Sequence, residues 1–584
     1  MIALRTEHLD VLVVGGGAAG SATALYLAER RPDLVIGIVE KSTLRRGGCT
    51  ATGIDHWVAA FSHKFFCGGG ARRFLPFFRA ALTRNRRTDV FELSTVGASV
   101  ARESYEELMQ LERWGIDVRL DDGRFRVVWG AGAPAIWIAG KDFKPTIARR
   151  IRAAGCRIWQ RTQVVRLFRD ANRVTGALAM NVRTGELTAF AARAVVIASG
   201  SSTRLWHPAP ATGDERAFDL VYSPYNNAEA LMAAYGAGAE LVATEFACAT
   251  LAPVGYGCAG ISGFLSAGAQ LVNGTGEPFA RRADARLGER MPRQQTVQAC
   301  VNELRAGRGP LRLETSAIAA QDLPKILFAW DNEVPLMRQY VEQRGIRLGV
   351  DDIDVEPHLA LSMAKVATDY HARSSLPGLF AAGDVSGTLP IAVMGAMVGG
   401  RRAAAAVDGY LAADTGPLAA FRHGEAADVA RSVTLLLDDD APLLWRDIER
   451  EMRDINTRYL GFSRDAAGMQ CAAVLLDELA ERAEHLRARN PHELMRLHET
   501  RALLGLSRIM ARTALLRTES RFGHGQFHSR TDYPEMDNER WLQELIVTRD
   551  ADRDEPQIQT RSCALTLRGL VDLALSAVRV IVSS

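Results

Sequence analysis

The residues with the clearest chemical purpose lie near the start of the chain. Gly15-Gly16-Gly17-Ala18-Ala19-Gly20 is a G-x-G-x-x-G run, and Glu40 stands 20 positions after its last glycine. That spacing suits a dinucleotide. Gly15 permits a tight turn, Gly17 lets a pyrophosphate approach the backbone, and Gly20 brings helix and strand together. Amides at the helix start would face the phosphates, and Glu40 would accept from the adenosine ribose hydroxyls.

The run alone is a weak signal, so its setting decides. Asp10 to Val14 is a short apolar strand that the glycines follow at once. Ser21 to Arg31 reads as a small-residue helix and Val35 to Val39 as a second strand, which Glu40 closes. This order favours a nucleotide site over a glycine turn in an empty α/β domain. Arg157 to Phe168, Arg173 to Asn181, Ala194 to Gly200 and Leu376 to Asp384 return as strands of the same kind of sheet. Roughly 235 to 355 reads as short strands and loops. From about 416 the pattern turns helical, over 443–460, 465–488 and 492–519. Asp438-Asp439-Asp440, ahead of one such helix, reads as a solvated N-cap cluster and not a metal site.

Bulk properties narrow the function classes. The chain has 584 residues, is 47% hydrophobic and 24% charged and holds 51 Gly, which fits a globular protein and excludes disorder or a collagen-like repeat. Lys and Arg total 71 against 68 Asp and Glu, and that +3 balance offers nothing to a nucleic acid. The eight cysteines (49, 67, 156, 248, 258, 300, 471, 563) include no CxxC pair, which excludes a cysteine-only iron–sulfur or zinc motif of recognisable spacing. Free thiols at that density suit a reducing cytosol. The N-terminus reads as neither signal nor transit peptide. The closing run from Ala564 is broken by Arg568, Asp572 and Arg579 and reads as an amphipathic packing helix. A cytoplasmic protein with no transmembrane segment is expected.

Four separated motifs in order then carry a resemblance. VLVVGGGAAGSATALYLAE, AVVIASGS, LPGLFAAGDVSG and TESRFGHGQFHSRTDYPEMDNERWL together resemble the fumarate reductase/succinate dehydrogenase flavoprotein family, which includes L-aspartate oxidase and the adenylylsulfate reductase α subunit. The resemblance implies an α/β Rossmann-type FAD-binding domain, discontinuous over 1–235 and 356–415. It also implies an inserted α+β capping domain at 236–355 and a C-terminal α-helical domain at 416–584. By that likeness Gly15, Gly17, Ala18, Ala19 and Gly20 hold the pyrophosphate of FAD, and Glu40 the ribose, with Lys41 and Ser42 beside it. Gly48, Cys49, Thr50, Thr52 and Gly53 follow the isoalloxazine. Val165, Ala198, Ser199 and Gly200 complete the cofactor site, and Gly383 and Asp384 meet its ribityl–pyrophosphate region.

Departures from the family pattern matter as much. Respiratory members attach FAD through the His of Ser-His-Thr, whereas this chain has Gly48-Cys49-Thr50. Non-covalent FAD is therefore expected, with Cys49 a packed thiol. The histidine of the family's FHPTG falls near Thr250, and that of HYxMGG at or near Ala360. The loop bearing the substrate arginine is replaced by Gly387 to Ala396. The substrate is expected to be a small molecule other than fumarate, and less anionic.

Three candidates for catalysis remain. Arg293 matches by position the arginine that delivers the proton in fumarate reductases, although it also suits a charged surface loop. His358 precedes the expected catalytic position by two residues, and a strand would keep both on one face; an ordinary hydrogen-bonded histidine is the competing reading. His56 with Trp57 would set a donor and an aromatic wall beside the flavin. The expected activity is an FAD-dependent oxidoreductase passing electrons to a soluble acceptor, to oxygen or to an iron–sulfur partner. An adenylylsulfate-reductase-like subunit and a flavin-binding structural or RNA-associated protein are the alternatives, and the charge balance disfavours the last.

Overall fold

The computed structural model describes residues 4–51, 57, 95–125, 127–130, 133–170, 173–207, 221–258, 260–332, 335–387, 393–413, 421–523, 525–550 and 555–562. Its main sheet is built from β1 (Arg5–Val14), β2 (Ile36–Glu40), β3 (Arg157–Gln160), β4 (Thr162–Arg169), β5 (Val174–Asn181) and β6 (Leu187–Ile197), in the order β3-β2-β1-β6-β5-β4. The strand Leu379–Ala381 adds to β6 in parallel. β1 has parallel neighbours on both sides, and Val11 to Val14 are buried as such a central strand requires. The chain moves from β1 to β2 on one side and later to β6 on the other, so β1 marks the switch point where α/β sheets open a crevice at their strand ends.

The helix α1 (Ala18–Arg30) leaves that switch point. Its small residues have a packing reason: a Cβ added at Gly400, in the helix Val393–Ala413, would lie 2.5 Å from the Ala19 carbonyl oxygen and 2.6 Å from the Ala22 Cβ. Bulkier residues on either helix would force the pair apart.

The single strand expected over 157–168 is two strands. Arg161 takes a positive φ of 56° between them, its N–H donating to the Ser42 carbonyl at 2.8 Å. Here the chain leaves β3, parallel to β2, and begins β4, antiparallel to β5. The stretch read from its residue pattern as short strands and loops, roughly 235 to 355, holds helices as well as strands, in keeping with an α+β cap. One of them, α4 (Arg293–Arg305), buries Gln294, Thr296 and Glu303 beside its apolar residues, which blurs the 3.6-residue period. Earlier in the chain lie α2 (Gly140–Ala153) and α3 (Glu229–Gly236). The strands β7 (Ala247–Pro253) and β8 (Ile353–Ser362) pair antiparallel at the centre of a second sheet.

After 421 the chain is dominated by α5 (Trp445–Tyr459), α6 (Ala466–Ala483) and α7 (Pro491–Leu516), close to the expected helices. Asp438 to Asp440 lie exposed in a turn ahead of Leu444, the N-cap of α5. Beyond α7 the chain returns to strand. Gln526–His528 pairs with β7, and Gln543–Arg549 pairs with Pro556–Ser562. The C-terminal signature explains this return. Arg517 donates to Glu245 just ahead of β7 and to the Trp541 and Gln543 carbonyls, while Glu519 accepts from Arg517 and Arg521. Arg530 donates to the Ala514 and Arg517 carbonyls and pairs with Asp532. Arg517, Glu245, Glu519, Arg521 and Arg530 are buried and pair with one another, with backbone carbonyls or with the exposed Asp532, so the motif locks the last helices onto the second sheet. The closing run after 563 lies outside the described residues. No described helix is long and apolar enough to cross a membrane.

A second buried charge network ties α7 to the main sheet. Glu499 on α7, fully buried, accepts from Lys41 at 2.7 Å, Arg204 at 2.7 Å and Arg496 at 2.8 Å. Lys41 also meets Glu229 on α3, and Arg204 also meets Glu449 on α5. Burial by itself would raise the Glu499 carboxyl, but these three cations hold it well below the usual range. Its contribution to stability is thus complete above pH ~4.3 and is lost as the pH falls further. Glu499→Gln is expected to cost about 3–5 kcal/mol at neutral pH by stranding buried cations. Thermal unfolding of variant and parent at pH 7 and at progressively lower pH checks this: the gap should narrow in acid, and equal midpoints at pH 7 would refute the network's role.

Candidate functional site

The glycine turn has the geometry a dinucleotide needs. Gly15 takes φ 106°, and a Cβ there would lie 2.5 Å from the Ala198 carbonyl oxygen. A Cβ on Gly20 would lie 1.9 Å from the Gly15 carbonyl oxygen, so helix and strand meet only because neither position carries a side chain. At Gly17 the nearest atom to an added Cβ is the Gly48 Cα at 4.0 Å, and that side of the turn stays open. Ala18 and Ala19 form the first buried turn of α1 behind it.

Around the opening lie polar atoms that have no hydrogen-bond partner among the described residues. Thr50 Oγ1, Ser199 Oγ and Ser201 Oγ are buried and unbonded, an arrangement that is costly unless a ligand completes it. Gly48, at φ 79°, brings the short turn Cys49–Ala51 against Gly17. Gly383 reaches the same place, since a Cβ on it would lie 2.7 Å from the Ala19 Cβ. The Gly383-Asp384 turn and the Ala198-Ser199-Gly200 segment therefore converge on the loop. A dinucleotide cofactor fits this cradle.

Glu40 is buried and already engaged, accepting from Gly16 N–H at 2.7 Å, Ser42 N–H at 2.8 Å and Ser42 Oγ at 2.9 Å. The Lys41 ammonium turns instead to Glu229 and Glu499. Val165 is half-buried at a bulge in β4 and packs on the core of the main sheet. Thr52, Gly53 and His56 lie outside the described residues. Trp57 is a core residue: it is fully buried among Leu108 and Ile136, and its indole N–H donates to the Ser104 carbonyl at 2.9 Å.

From the cradle the chemistry extends to the second sheet. Cys49 accepts from Asn226 Nδ2 at 3.3 Å, and burial, aided by the Asp384 carboxylate, pushes its thiol up to about 12. The Asp384 field also reaches Cys248 on β7, whose thiol burial raises while Arg293 opposes the shift. Arg293 opens α4 beside that thiol. Its neighbour Gln294 grips β7 at Ala249, accepting from the backbone N–H at 2.9 Å and donating to the carbonyl at 3.2 Å. Cys49, Asp384, Cys248 and Arg293 thus form one continuous neighbourhood.

His358 belongs to the same face. A bulge beside Cys248 leaves Ala249, Leu251 and Val355 in the sheet's apolar core, while Thr250 lies directly across from His358. Glu356, His358 and Ala360 alternate with that core-facing set, as i and i+2 positions of a strand do. His358 is 2% exposed, and among the described residues neither ring nitrogen has a hydrogen-bond partner. Its Nε2 is 3.5 Å from Glu356 Oε1, and Glu356 Oε2 is likewise buried and unbonded. The residues that the sequence left unremarked are Asn226, Gln294, Glu356 and Lys144. Only Gln294 had a signal, its place beside Arg293.

The likeness to known proteins agrees with this geometry. Residues 10–400 match the family described as FAD binding domain, and 449–573 match fumarate reductase flavoprotein C-term. The fumarate reductase flavoprotein subunit of Mycobacterium tuberculosis is 27% identical over 94% of this chain and 96% of its own length. Two solved structures share the fold: adenylylsulfate reductase of Archaeoglobus fulgidus (TM-score 0.81, 22% identity, 97% of each chain) and E. coli quinol fumarate reductase (TM-score 0.79, 23% identity, 97% of this chain and 98% of that one). The chain belongs to the FAD-binding family of the fumarate reductase/succinate dehydrogenase flavoproteins and is an FAD-dependent oxidoreductase.

Proposed function

We propose that this oxidoreductase acts on a small organic substrate other than fumarate or succinate, held between the bound cofactor and the β7–β8 face of the second sheet. FAD supplies two-electron transfer when bound. The observation that carries the reading is the buried face itself, which holds Thr250 and Ala360; the motif match puts the family's dicarboxylate-clamping histidines near Thr250 and at or near Ala360. A threonine and an alanine offer no cation, so the pocket favours a less anionic ligand.

Arg293 and His358 are the proton-handling groups of the proposal. Arginine is a poor acid in water, and Arg293, half-buried at the start of α4, would need a relay behind it. His358, with no hydrogen-bond partner among the described residues and its Nε2 3.5 Å from Glu356 Oε1, would bond a substrate while Glu356 orients the ring. Gly15, Gly17, Gly20, Glu40, Thr50, Ser199, Gly383 and Asp384 would hold the cofactor, and water is excluded by the buried face of β7 and β8. With no CxxC pair in the sequence, electrons would leave through an external acceptor, of which an iron–sulfur protein is one class.

The FAD would be non-covalent. A thiol held at about 12 is protonated at neutral pH and is a weak nucleophile toward the flavin. Acid precipitation should release the yellow chromophore into the supernatant; chromophore retained on the pellet would show a covalent bond.

Turnover can be followed by reoxidation of the reduced flavin with enoates and imines, and by its reduction with amino acids. Arg293→Ala and His358→Gln should each lower the rate about 100-fold or more, the scale of a lost general acid or base, with flavin content unchanged. Rates equal to those of the parent would remove that residue from the mechanism.

A further inference from the structure

Lys144 stands behind the glycine turn. It lies in α2, is 2% exposed, and donates from Nζ to the Gly16 carbonyl oxygen. Ser21 Oγ donates to the same oxygen at 3.1 Å, while the Gly16 N–H is held by Glu40 at 2.7 Å. Gly16 is thus held at both its N–H and its carbonyl, and the carbonyl belongs to the peptide that leads into the open Gly17.

An ammonium carries three donors. Among the described residues Lys144 makes this one hydrogen bond and no salt bridge. Burial pulls its pKa down to about 8, and the Glu40 field works only partly against that. Glu40 is already committed to Gly16 and Ser42. A deeply buried cation without a close counter-ion is costly, and here it sits one peptide away from the place where a doubly charged pyrophosphate approaches the chain.

We propose that Lys144 is a positioning residue for FAD: its ammonium fixes the Gly16 peptide, so that the open side of Gly17 faces the pyrophosphate, and its charge attracts that group. This rests on FAD occupying the Gly15–Gly20 turn. A residue that only anchored α2 would need the hydrogen bond and not the charge, and the two roles separate experimentally. Lys144→Gln keeps an N–H donor for Gly16 and removes the charge, while Lys144→Arg keeps the charge.

The test is titration of the apoprotein with FAD, ADP and adenosine, followed by flavin fluorescence and calorimetry, together with the thermal midpoint of each apoprotein. Lys144→Gln should leave the apoprotein midpoint unchanged or raised and weaken FAD and ADP about tenfold or more, equivalent to about 1.4 kcal/mol, with adenosine unaffected. Lys144→Arg should bind FAD nearly as the parent does. FAD affinity unchanged in Lys144→Gln, or equal losses for ADP and adenosine, would overturn the proposal. Should Lys144→Gln fail to fold, a tenfold loss in Lys144→Arg would overturn it and retained affinity would support it. Failure of the parent apoprotein to bind FAD at all would instead refute the cofactor assignment.

Discussion

One buried carboxylate holds both flanks of the cofactor cradle. Glu499, near the start of the helix Pro491–Leu516, accepts from Lys41, which follows the strand Ile36–Glu40, and from Arg204, which follows the strand Leu187–Ile197. These two strands lie on either side of β1, whose end is the glycine turn. The crevice of an α/β sheet opens where strand order reverses, and here its two walls are joined to one helix through one side chain. Ion pairs this deep are not efficient stabilisers by themselves, since desolvation offsets much of their attraction. Their effect is positional: with every cation already matched, the loops after both strands have few alternative arrangements.

The same economy explains the rest of the site. The cradle is made of absent side chains and unbonded hydroxyls, and thus suits a large ligand with its own acceptors. Beyond it, the face formed by β7 and β8 carries a histidine beside a carboxylate, with Thr250 and Ala360 close by and Arg293 at the start of the helix packed against β7. Scaffold and cofactor are kept, and in the proposed reading the groups that would choose a dicarboxylate are changed. Function in such folds follows from the site and not from the scaffold, which is why close likeness in fold to two different reductases does not name the substrate.

Much of the scaffold was legible in the sequence because it rests on local patterns. The strand, glycine turn, helix and closing Glu40 lie within forty residues and each obeys a short-range rule. The three long helices near the C-terminus place apolar residues at helical spacing and appear near their expected bounds. What escaped depends on distant partners. Lys41 reads as a cofactor neighbour until Glu229 and Glu499, 188 and 458 residues away, claim its ammonium. Trp57 reads as an aromatic wall beside the flavin, yet its indole N–H is bonded to Ser104 in the core. Gln294 hides in a helix whose buried side is partly polar, and no spacing rule connects Lys144 with a turn 128 residues earlier. His358 was legible as a candidate, since strand alternation places it on the face of Ala360; its unbonded state and its glutamate neighbour were not.

The proposed function is that of an FAD oxidoreductase without a dicarboxylate clamp. Spectroscopic titration of the FAD-loaded protein with fumarate and succinate tests it most directly. The account predicts no saturable change in the flavin spectrum up to millimolar concentrations of either acid. Tight, saturable binding of either one would contradict it, and would mean that other residues supply the clamp that Thr250 and Ala360 do not.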